Sequence, residues 1–408
     1  MTARAPHIGL NLIFLVPGET GGMEVAAREL IPALLEEAPR GMRFTAFVNR
    51  EAAAAGGPWG ESLPAVTVPV HARNRAQWVL GEQALLPRLV ARAGVDLVHS
   101  LASTAPVRGR FRRVVTIHDL IYARFPDAHA GLRDRGMRLL VPQAAKRSDR
   151  VIADSLSTRE DLVELIGLDP QKIDVVPLGL GAVRRAQALS ERDTRARFEL
   201  AERRVLLSLS AKRPHKNLRA LIDALARLDA NERPLLVLPG YATAHEAELR
   251  EHARSLGVLE DVRFPSWVSA EELEGLWALT VAFVFPSLYE GFGLPVLEAM
   301  ARGVPVACAD ASSLPEVAGD AALLFDPRHP EQIAQALTRL LADEPLRERL
   351  RELGRRRAER FTWERAARLT LASYARVLEP GRGGDPPGAG PENPEPPDPL
   401  APSGTTSS

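Results

Sequence analysis

The sequence predicts an α/β protein with two doubly wound parallel sheets, each in its own domain. Short apolar runs rich in Val, Ile and Leu alternate with segments of helical periodicity, which is typical of buried parallel strands and their crossover helices. This alternation lapses once, around 178–194, and then begins again. The chain of 408 residues is also too long for one ordinary core. We therefore expect two Rossmann-like domains, at 1–183 and 184–362, joined by a linker.

In the first half, seven apolar runs predict strands. They are Ile8–Val16, Phe44–Val48, Ala65–Val70, Val95–Ser100, Val114–Ile117, Val151–Ala153 and Ile173–Val176. Apolar residues at helical spacing predict helices at Met23–Leu35 and Leu80–Ala93. Ser157 and Glu160 have the spacing of a capping box, which predicts the start of another helix.

The second half repeats this organisation. The expected strands are Val205–Leu209, Leu235–Leu238, Val262–Phe264, Val281–Phe285, Val304–Ala307 and Leu323–Phe325. The expected helices are Leu218–Leu228, His245–Leu256, one from the Ser269–Glu272 capping box to Leu279, Glu331–Leu341, Glu344–Arg360 and Trp363–Leu378. The tail, 379–408, is rich in Pro, Gly, Ser and acid, a composition that predicts disorder. Since ligands bind at the carboxyl ends of parallel strands, we expect the two domains to face a central cleft.

Composition excludes several classes of function. Lys plus Arg and Asp plus Glu number 52 each, so no overall basic field exists to attract nucleic acid. The single cysteine, Cys308, cannot form an intrachain disulfide, which fits a reducing cytoplasm. The N-terminus lacks a signal-peptide pattern, and Ile8–Val16 is too short to span a bilayer. We expect a cytoplasmic protein, with peripheral contact to the inner face of a membrane left open.

The stretch Pro286–Glu298 carries the most specific functional signal. A predicted strand precedes it, and Pro295 stands where a helix would begin. Between them, Gly291 and Gly293 would let the backbone approach a ligand closely. Amides that follow a glycine loop and open a helix suit a pyrophosphate.

Two carboxylates, Glu290 and Glu298, flank this glycine loop. A carboxylate can accept two hydrogen bonds from the vicinal diol of a sugar. Their spacing matches the E-x7-E motif of retaining glycosyltransferases of the GT-B fold, family 4, and the chain thus resembles that family. The resemblance implies that Glu298 holds the ribose of a nucleoside-diphosphate sugar and that Glu290, a catalytic residue, binds a hexose hydroxyl. The loop residues implied in donor binding are Gly291, Phe292, Gly293 and Leu294.

A second candidate loop, which is cationic, follows the predicted strand Val205–Leu209. Arg213-Pro-His-Lys-Asn-Leu218 resembles the R-K-N-L loop of the same family, which places Lys216 at the position of its diphosphate-binding, catalytic lysine. Cations at the end of a strand are well placed to neutralise a leaving diphosphate. The usual Gly or Gly-Arg is Ser210-Ala211 here. Either Arg213 or Lys212 could therefore be the second cation.

The resemblance also extends into the first half. His118, with Asp119, follows the strand Val114–Ile117, and the family implies a catalytic hydrogen bond from such a histidine to a sugar hydroxyl. Asp119 is expected to cap the next turn or to orient His118. Gly21-Gly22 resembles the family's N-terminal glycine turn, which implies donor contact at Gly22, although a plain tight turn is equally compatible.

No metal or cofactor is expected. The chain contains no Asp-x-Asp pair and no Cys/His cluster with zinc spacing. The loop Asp310–Glu316 resembles the end of the family's donor site, with Glu316 as a weak candidate.

The sequence therefore predicts a retaining, metal-independent hexosyltransferase, similar to mannosyltransferases, that uses a nucleoside-diphosphate sugar. A nucleotide-sugar epimerase or phosphorylase on the same fold and an inactive partner subunit remain alternatives. A Rossmann oxidoreductase is less compatible, because no G-x-G-x-x-G follows the first strand.

The acceptor could be a saccharide, a lipid-linked compound or a small molecule. Its pocket is expected in loops of the first half, such as Asn49–Pro64 or Tyr122–Met137. Four arginines near the second loop suggest either an anionic or membrane-linked acceptor or a solvated helix face. They are Arg124, Arg133, Arg135 and Arg138.

Overall fold

The computed structural model describes residues 4–125, 132–181 and 186–379, without the side chains of 132–135. Contacts divide the chain into two compact units. The first unit runs to Val183 and also includes the segment that starts at Phe361, and the second is Arg184–Arg360.

The first unit contains a seven-stranded sheet in the order β3-β2-β1-β4-β5-β6-β7, with every neighbouring pair parallel. The strands are β1 (His7–Leu12), β2 (Arg43–Val48), β3 (Ala65–Thr67), β4 (Leu97–Ser100), β5 (Arg112–Ile117), β6 (Arg150–Ala153) and β7 (Ile173–Val175). The helices are α1 (Gly22–Glu37), α2 (Arg50–Ala55), α3 (Pro58–Glu61), α4 (Arg75–Leu80), α5 (Leu86–Ala93), α6 (Ile121–Arg124), α7 (Leu132–Arg147) and α8 (Leu156–Ile166). The strand order reverses beside β1, as in doubly wound folds.

The second unit contains a six-stranded parallel sheet in the order β10-β9-β8-β11-β12-β13. The strands are β8 (Val205–Leu207), β9 (Leu235–Val237), β10 (Val262–Arg263), β11 (Thr280–Phe285), β12 (Val306–Ala309) and β13 (Ala322–Phe325). The helices are α9 (Glu191–Phe198), α10 (Leu218–Ala226), α11 (His245–Ser255), α12 (Ala270–Leu279), α13 (Leu294–Ala301), α14 (Leu314–Ala318), α15 (Pro330–Ala342) and α16 (Glu344–Ala358). Since β8 and β11 are neighbours, the loops after them meet at one edge of the sheet.

The last helix, α17 (Trp363–Leu378), belongs to the first unit and packs against α1. Its Tyr374 is fully buried, and the hydroxyl lies 2.7 Å from Nδ1 of His99. Ser373 donates a hydrogen bond to Asp174 of β7, and Arg376 pairs with the same carboxylate. The predicted range of this helix is confirmed.

The predicted fold class, two doubly wound α/β sheets, is confirmed, while several boundaries were wrong. The capping serine of α8 is Ser155, which accepts the Thr158 N–H, and not Ser157. The predicted linker overlaps α9, because this helix buries only Thr194 and Phe198 and therefore has almost no apolar period. The predicted acceptor loop 49–64 contains the short helices α2 and α3. Disorder was predicted for the tail, 379–408. Residues after 379 lie outside the described part of the chain, as do the side chains of Arg133 and Arg135.

Among the described residues, no helix is both long and apolar enough to cross a membrane.

Candidate active site

The loops that follow β8 and β11 are joined by hydrogen bonds at the carboxyl edge of the second sheet. The Leu288 N–H donates to the His215 carbonyl at 2.8 Å. Asn217, in the left-handed region at φ 56°, donates from Nδ2 to the Pro286 carbonyl at 3.2 Å and the Pro327 carbonyl at 2.7 Å. These bonds fix the two loops on which the predicted donor residues lie.

Lys216 and Glu290 form an ion pair across these loops. Nζ of Lys216 lies 2.6 Å from Oε1 of Glu290, and their side chains are only 18% and 14% exposed. Nζ also lies 5.7 Å from the centroid of the Phe285 ring. An ammonium has three donors, so one can serve Glu290 while the others reach a ligand. The structure thus brings two of the predicted catalytic side chains together.

Two serine side chains form hydrogen bonds to the backbone of the acid–glycine loop, Glu290–Gly293. Ser312 Oγ accepts the Glu290 N–H at 2.8 Å, with Ser312 itself in the left-handed region at φ 48°. The hydroxyl of Ser313, which is fully buried, lies 3.0 Å from the Glu290 carbonyl and 2.6 Å from the Phe292 carbonyl. Positive φ is energetically unfavourable for a residue other than glycine, so the surrounding contacts must hold Ser312 in this conformation. The same contacts fix the conformation of the Glu290–Gly293 loop.

Gly293 must be glycine at the turn into α13. Its φ is 115°, and an added Cβ would lie 2.8 Å from Cδ2 of Leu314. The helix then begins at Leu294 with Pro295 in its first turn, and no described side chain caps it. Pro295 has no N–H, and the Val296 N–H donates to the Gly293 carbonyl at 3.0 Å, so the Leu294 amide and the positive end of the helix dipole are what the start of α13 offers to an anion.

Glu298 lies further along α13 and is half-buried. No hydrogen bond of its carboxylate is found to a described residue, although the Arg302 side chain bonds its backbone carbonyl at 3.0 Å. Burial raises the pKa of Glu298, Arg302 opposes this shift, and the nearby Glu274 carboxylate adds to it. The side chain is a desolvated acceptor with no hydrogen-bond partner in the described part of the chain, which suits a diol ligand.

Burial distinguishes the two candidates for the second cation. The Lys212 side chain has no exposed surface, and Nζ donates to the carbonyls of Gly240 at 2.6 Å and Pro265 at 3.1 Å and lies 3.4 Å from Glu246. Burial also lowers the pKa of Lys212. Lys212 is therefore a structural brace, and the exposed Arg213 is the cation that remains for a ligand.

His118, in the first unit, uses both ring nitrogens within the protein. Nδ1 lies 2.6 Å from the Asp154 carboxylate and Nε2 lies 2.9 Å from the Leu101 carbonyl. Burial alone would lower the pKa of His118, but Asp154 outweighs burial and raises it to about 9. The ring is therefore an imidazolium with both protons engaged, and a bond to a sugar hydroxyl would require one contact to break. Asp119 caps the next turn by accepting the Ile121 N–H at 3.0 Å.

Gly21 and Gly22 form the turn into α1 of the first unit. Gly21 has φ 62° and ψ −133°, which favours glycine. An added Cβ at either residue would meet no atom within 4 Å, so the turn faces open space. Donor contact at Gly22 stays a prediction.

The remaining candidates have little role in this geometry. The Glu316 carbonyl accepts a hydrogen bond from Arg357, which packs α16 against α14. In the described ranges, no group of three or more His, Cys, Asp or Glu side chains could hold a metal ion.

Sequence reasoning missed three residues that shape the site: Asn217, Ser312 and Ser313. One signal was available for the first loop, because two of the four lysines in this arginine-rich chain, Lys212 and Lys216, lie within the five residues before Asn217. Ser312 and Ser313 lie in the quoted Asp310–Glu316 stretch, but serine is too common in loops to attract notice.

Comparison with known proteins identifies the family. The family model described as "Glycosyltransferase Family 4" matches residues 20–182, and the model "Glycosyl transferases group 1" matches residues 190–357. The O-antigen chain mannosyltransferase B of Escherichia coli is 31% identical over 267 residues, which cover 64% of this chain and 70% of that protein. A D-inositol 3-phosphate glycosyltransferase of Streptomyces bingchenggensis is 30% identical over 373 residues, 88% of this chain and 75% of that protein.

Solved structures share the architecture. HepE of Anabaena, crystallised with UDP and glucose, superposes with a TM-score of 0.70 at 19% identity, over 91% of this chain and 100% of that chain. The two Rossmann-like sheets have the GT-B fold of that structure, and the two family models identify a glycosyltransferase. More narrowly, the chain belongs to glycosyltransferase family 4.

Proposed function

We propose that this protein is a retaining hexosyltransferase that takes its sugar from a nucleoside-diphosphate donor and needs no metal. A mannosyl group is favoured by the E. coli relative, which is named a mannosyltransferase. The acceptor would be a hydroxyl of a saccharide, a lipid-linked compound or a small molecule. The observation that carries the proposal is the Lys216–Glu290 pair at 2.6 Å beside an uncapped helix N-terminus.

The geometry supports one placement of the donor. The diphosphate would lie against the glycine loop and the start of α13, where Lys216 and the exposed Arg213 complement its charge. Glu290 would accept a hydroxyl of the hexose, and Glu298 the ribose diol. HepE, the structural relative, was crystallised with UDP and glucose, which fits a donor of this class.

In the reaction, the bond between the anomeric carbon and the diphosphate oxygen breaks, and negative charge develops on the leaving diphosphate. Lys216 and the amides stabilise that charge more strongly in the transition state than in the ground state. The acceptor hydroxyl attacks from the face that the diphosphate leaves, and its proton passes to a diphosphate oxygen. The configuration at the anomeric carbon is thus retained without a protein nucleophile.

Donor binding is tested first with the full-length protein. We expect one of UDP-, GDP-, ADP- and dTDP-sugars to raise the melting temperature, because a ligand that binds only the folded state stabilises it. The product of the matching donor, examined by NMR, should keep the anomeric configuration. No shift with any donor at millimolar concentration would contradict the proposal, and donor epimerised without an acceptor would favour the epimerase alternative.

Two substitutions test the site itself. Lys216→Ala and Glu298→Gln should each lower kcat/KM by at least 100-fold, because each removes a contact to the donor. Lys146→Ala is the matched control, since Lys146 is an exposed lysine at the end of α7. Circular dichroism should show the same fold for all variants. Turnover near the wild-type rate in Lys216→Ala would argue strongly against the mechanism.

A further inference from the structure

The first unit contains an open groove that the donor chemistry does not use. It has a volume of about 470 Å³ and lies where the chain leaves β1, β2 and β3. Its polar lining comes from Arg50 and Glu51 after β2 and from His71 and Arg73 after β3, with Pro17 after β1. The carboxyl ends of parallel strands are where doubly wound sheets bind ligands, and the volume is that of a small-molecule site.

The one carboxylate of the lining is occupied by the protein. Glu51 accepts the Ala72 N–H at 3.2 Å and the Arg73 N–H at 3.4 Å, and Nδ1 of His71 lies 3.4 Å from it. Its side chain is only 10% exposed. Burial alone would raise the pKa of Glu51, but backbone N–H donors outweigh burial and lower it. Glu51 therefore braces the chain after β3 as an ionised carboxylate whose charge is partly offset by the two backbone N–H donors.

The cationic side chains, by contrast, are open to solvent. Arg50 is exposed, and neither a hydrogen bond nor an ion pair joins its guanidinium to the described residues. His71 is half exposed, and its Nε2 has no partner in the described part of the chain. Arg73 pairs with Glu19 at 2.6 Å, with both side chains more than half exposed. An exposed pair of this kind is worth little, so a ligand could share Arg73 at small cost.

We propose that this groove binds the anionic group of the acceptor, a sugar or polyol that carries a phosphate or a carboxylate. The assignment of the ligand as the acceptor rests on the proposed transferase function. A guanidinium offers paired N–H donors that match either anion. A neutral sugar would leave these donors without charge-assisted partners.

Isothermal titration of the full chain tests the site without any donor. The probes are glucose 6-phosphate, glucuronate and uncharged glucose. We expect at least one of the two anions to bind at least tenfold more tightly than glucose, and the comparison between them identifies the preferred anion. Arg50→Ala should weaken that binding at least tenfold. Arg92→Ala is the matched control, an exposed arginine at the end of α5 that should leave affinity unchanged.

A Lys216→Ala variant separates this groove from the predicted diphosphate site. The anion should bind to this variant with unchanged affinity, because Lys216 belongs to the second unit. Equal affinity for all three probes, no binding of either anion, unchanged binding to Arg50→Ala, or loss of binding in Lys216→Ala would each overturn the inference. Failure of every nucleotide sugar to bind would instead overturn the proposed function and leave the anion result standing.

Discussion

At the scale of single residues, the position of Glu290 depends on a side chain that touches no proposed ligand. Ser313 is fully buried, and its hydroxyl proton is shared between the Glu290 and Phe292 carbonyls. Its removal would take this buried donor from the loop, at a cost of about 1–3 kcal/mol. The loop can reduce this free-energy cost by moving, and such a movement would misplace the Glu290 carboxylate.

We therefore expect Ser313→Ala to lower kcat/KM by about 10- to 100-fold, since small misplacement of a binding group is costly in the transition state. Steady-state kinetics with the donor found in the thermal-shift panel measure this. Ser255→Ala, at an exposed helix end, should show wild-type kinetics. If Ser313→Ala were less stable but equally active, the serine would be a packing residue only.

The sequence predicted the ligand-facing residues better than the residues that hold them. Glu290, Glu298 and Lys216 stand out because charged groups at fixed spacing around glycines indicate a ligand. The choice between Lys212 and Arg213 could not be made from sequence, because both are cations in one loop. Only burial of the Lys212 ammonium against the Gly240 and Pro265 carbonyls decides it.

At the scale of elements, the segment between α4 and α5 is a π-helical turn, Gly81–Leu85, with a buried carboxylate. Glu82 accepts hydrogen bonds from Asn11 at 3.0 Å, from Thr104 at 2.9 Å and from Gln83 at 3.0 Å. These bonds tie the turn to the end of β1 and to the loop after β4. Burial raises the pKa of Glu82 to about 7, and the three hydrogen bonds only partly oppose this shift.

The raised pKa predicts how stability depends on pH. The folded state keeps the Glu82 proton to higher pH than the unfolded state, so this contribution is complete below pH of about 4.5 and is lost as pH rises through about 7. The free energy of unfolding should fall by on the order of 3 kcal/mol over that range from this group. Denaturant titrations of Glu82→Gln between pH 5 and 8 should show a flatter pH dependence than the wild-type protein.

The comparison must be of slopes, because the glutamine amide would face the Gln83 donor and lower stability at every pH. Glu160→Gln, at an exposed position of α8, should keep the wild-type slope. His118 affects stability in a different pH range, because its contribution to the free energy of unfolding is lost as pH rises through about 9. Identical slopes for Glu82→Gln and wild type would show that Glu82 is ionised throughout.

Most elements could be predicted from apolar periodicity, and the failures share one cause. The inner strands of both sheets are buried on both faces, so they appear as continuous apolar runs. Helix α9 buries only two side chains, and α3 has only four residues, so neither gives a periodic signal. The π-helical turn was placed within a regular helix, because its extra residue does not disturb the apolar pattern enough to be seen.

At the scale of the whole molecule, the C-terminal helix completes a unit that begins more than 300 residues earlier in the chain. Helix α17 contributes Trp363, Ala367 and Tyr374 to the buried cluster that β1 and α1 share. Its polar contacts are also buried, since Tyr374 bonds His99, which lies between it and Thr116. Burial lowers the pKa of His99 to about 3, so the ring is neutral and depends on these two partners.

Truncation after residue 361 should therefore destabilise the first unit selectively. Removal of α17 exposes apolar side chains worth about 1.5–3 kcal/mol each when large. It also takes the Tyr374 partner from His99 Nδ1 and the Ser373 and Arg376 partners from the Asp174 carboxylate, which keeps only Arg150 among its described partners. Hydrogen exchange should accelerate in peptides from α1 and β4, while peptides from β8 and β11 keep their protection. Truncation after 379 is the control and should change neither set. Equal loss of protection in both units would mean that they unfold as one cooperative unit. Unchanged exchange in α1 would show that packing of α17 does not stabilise the first unit.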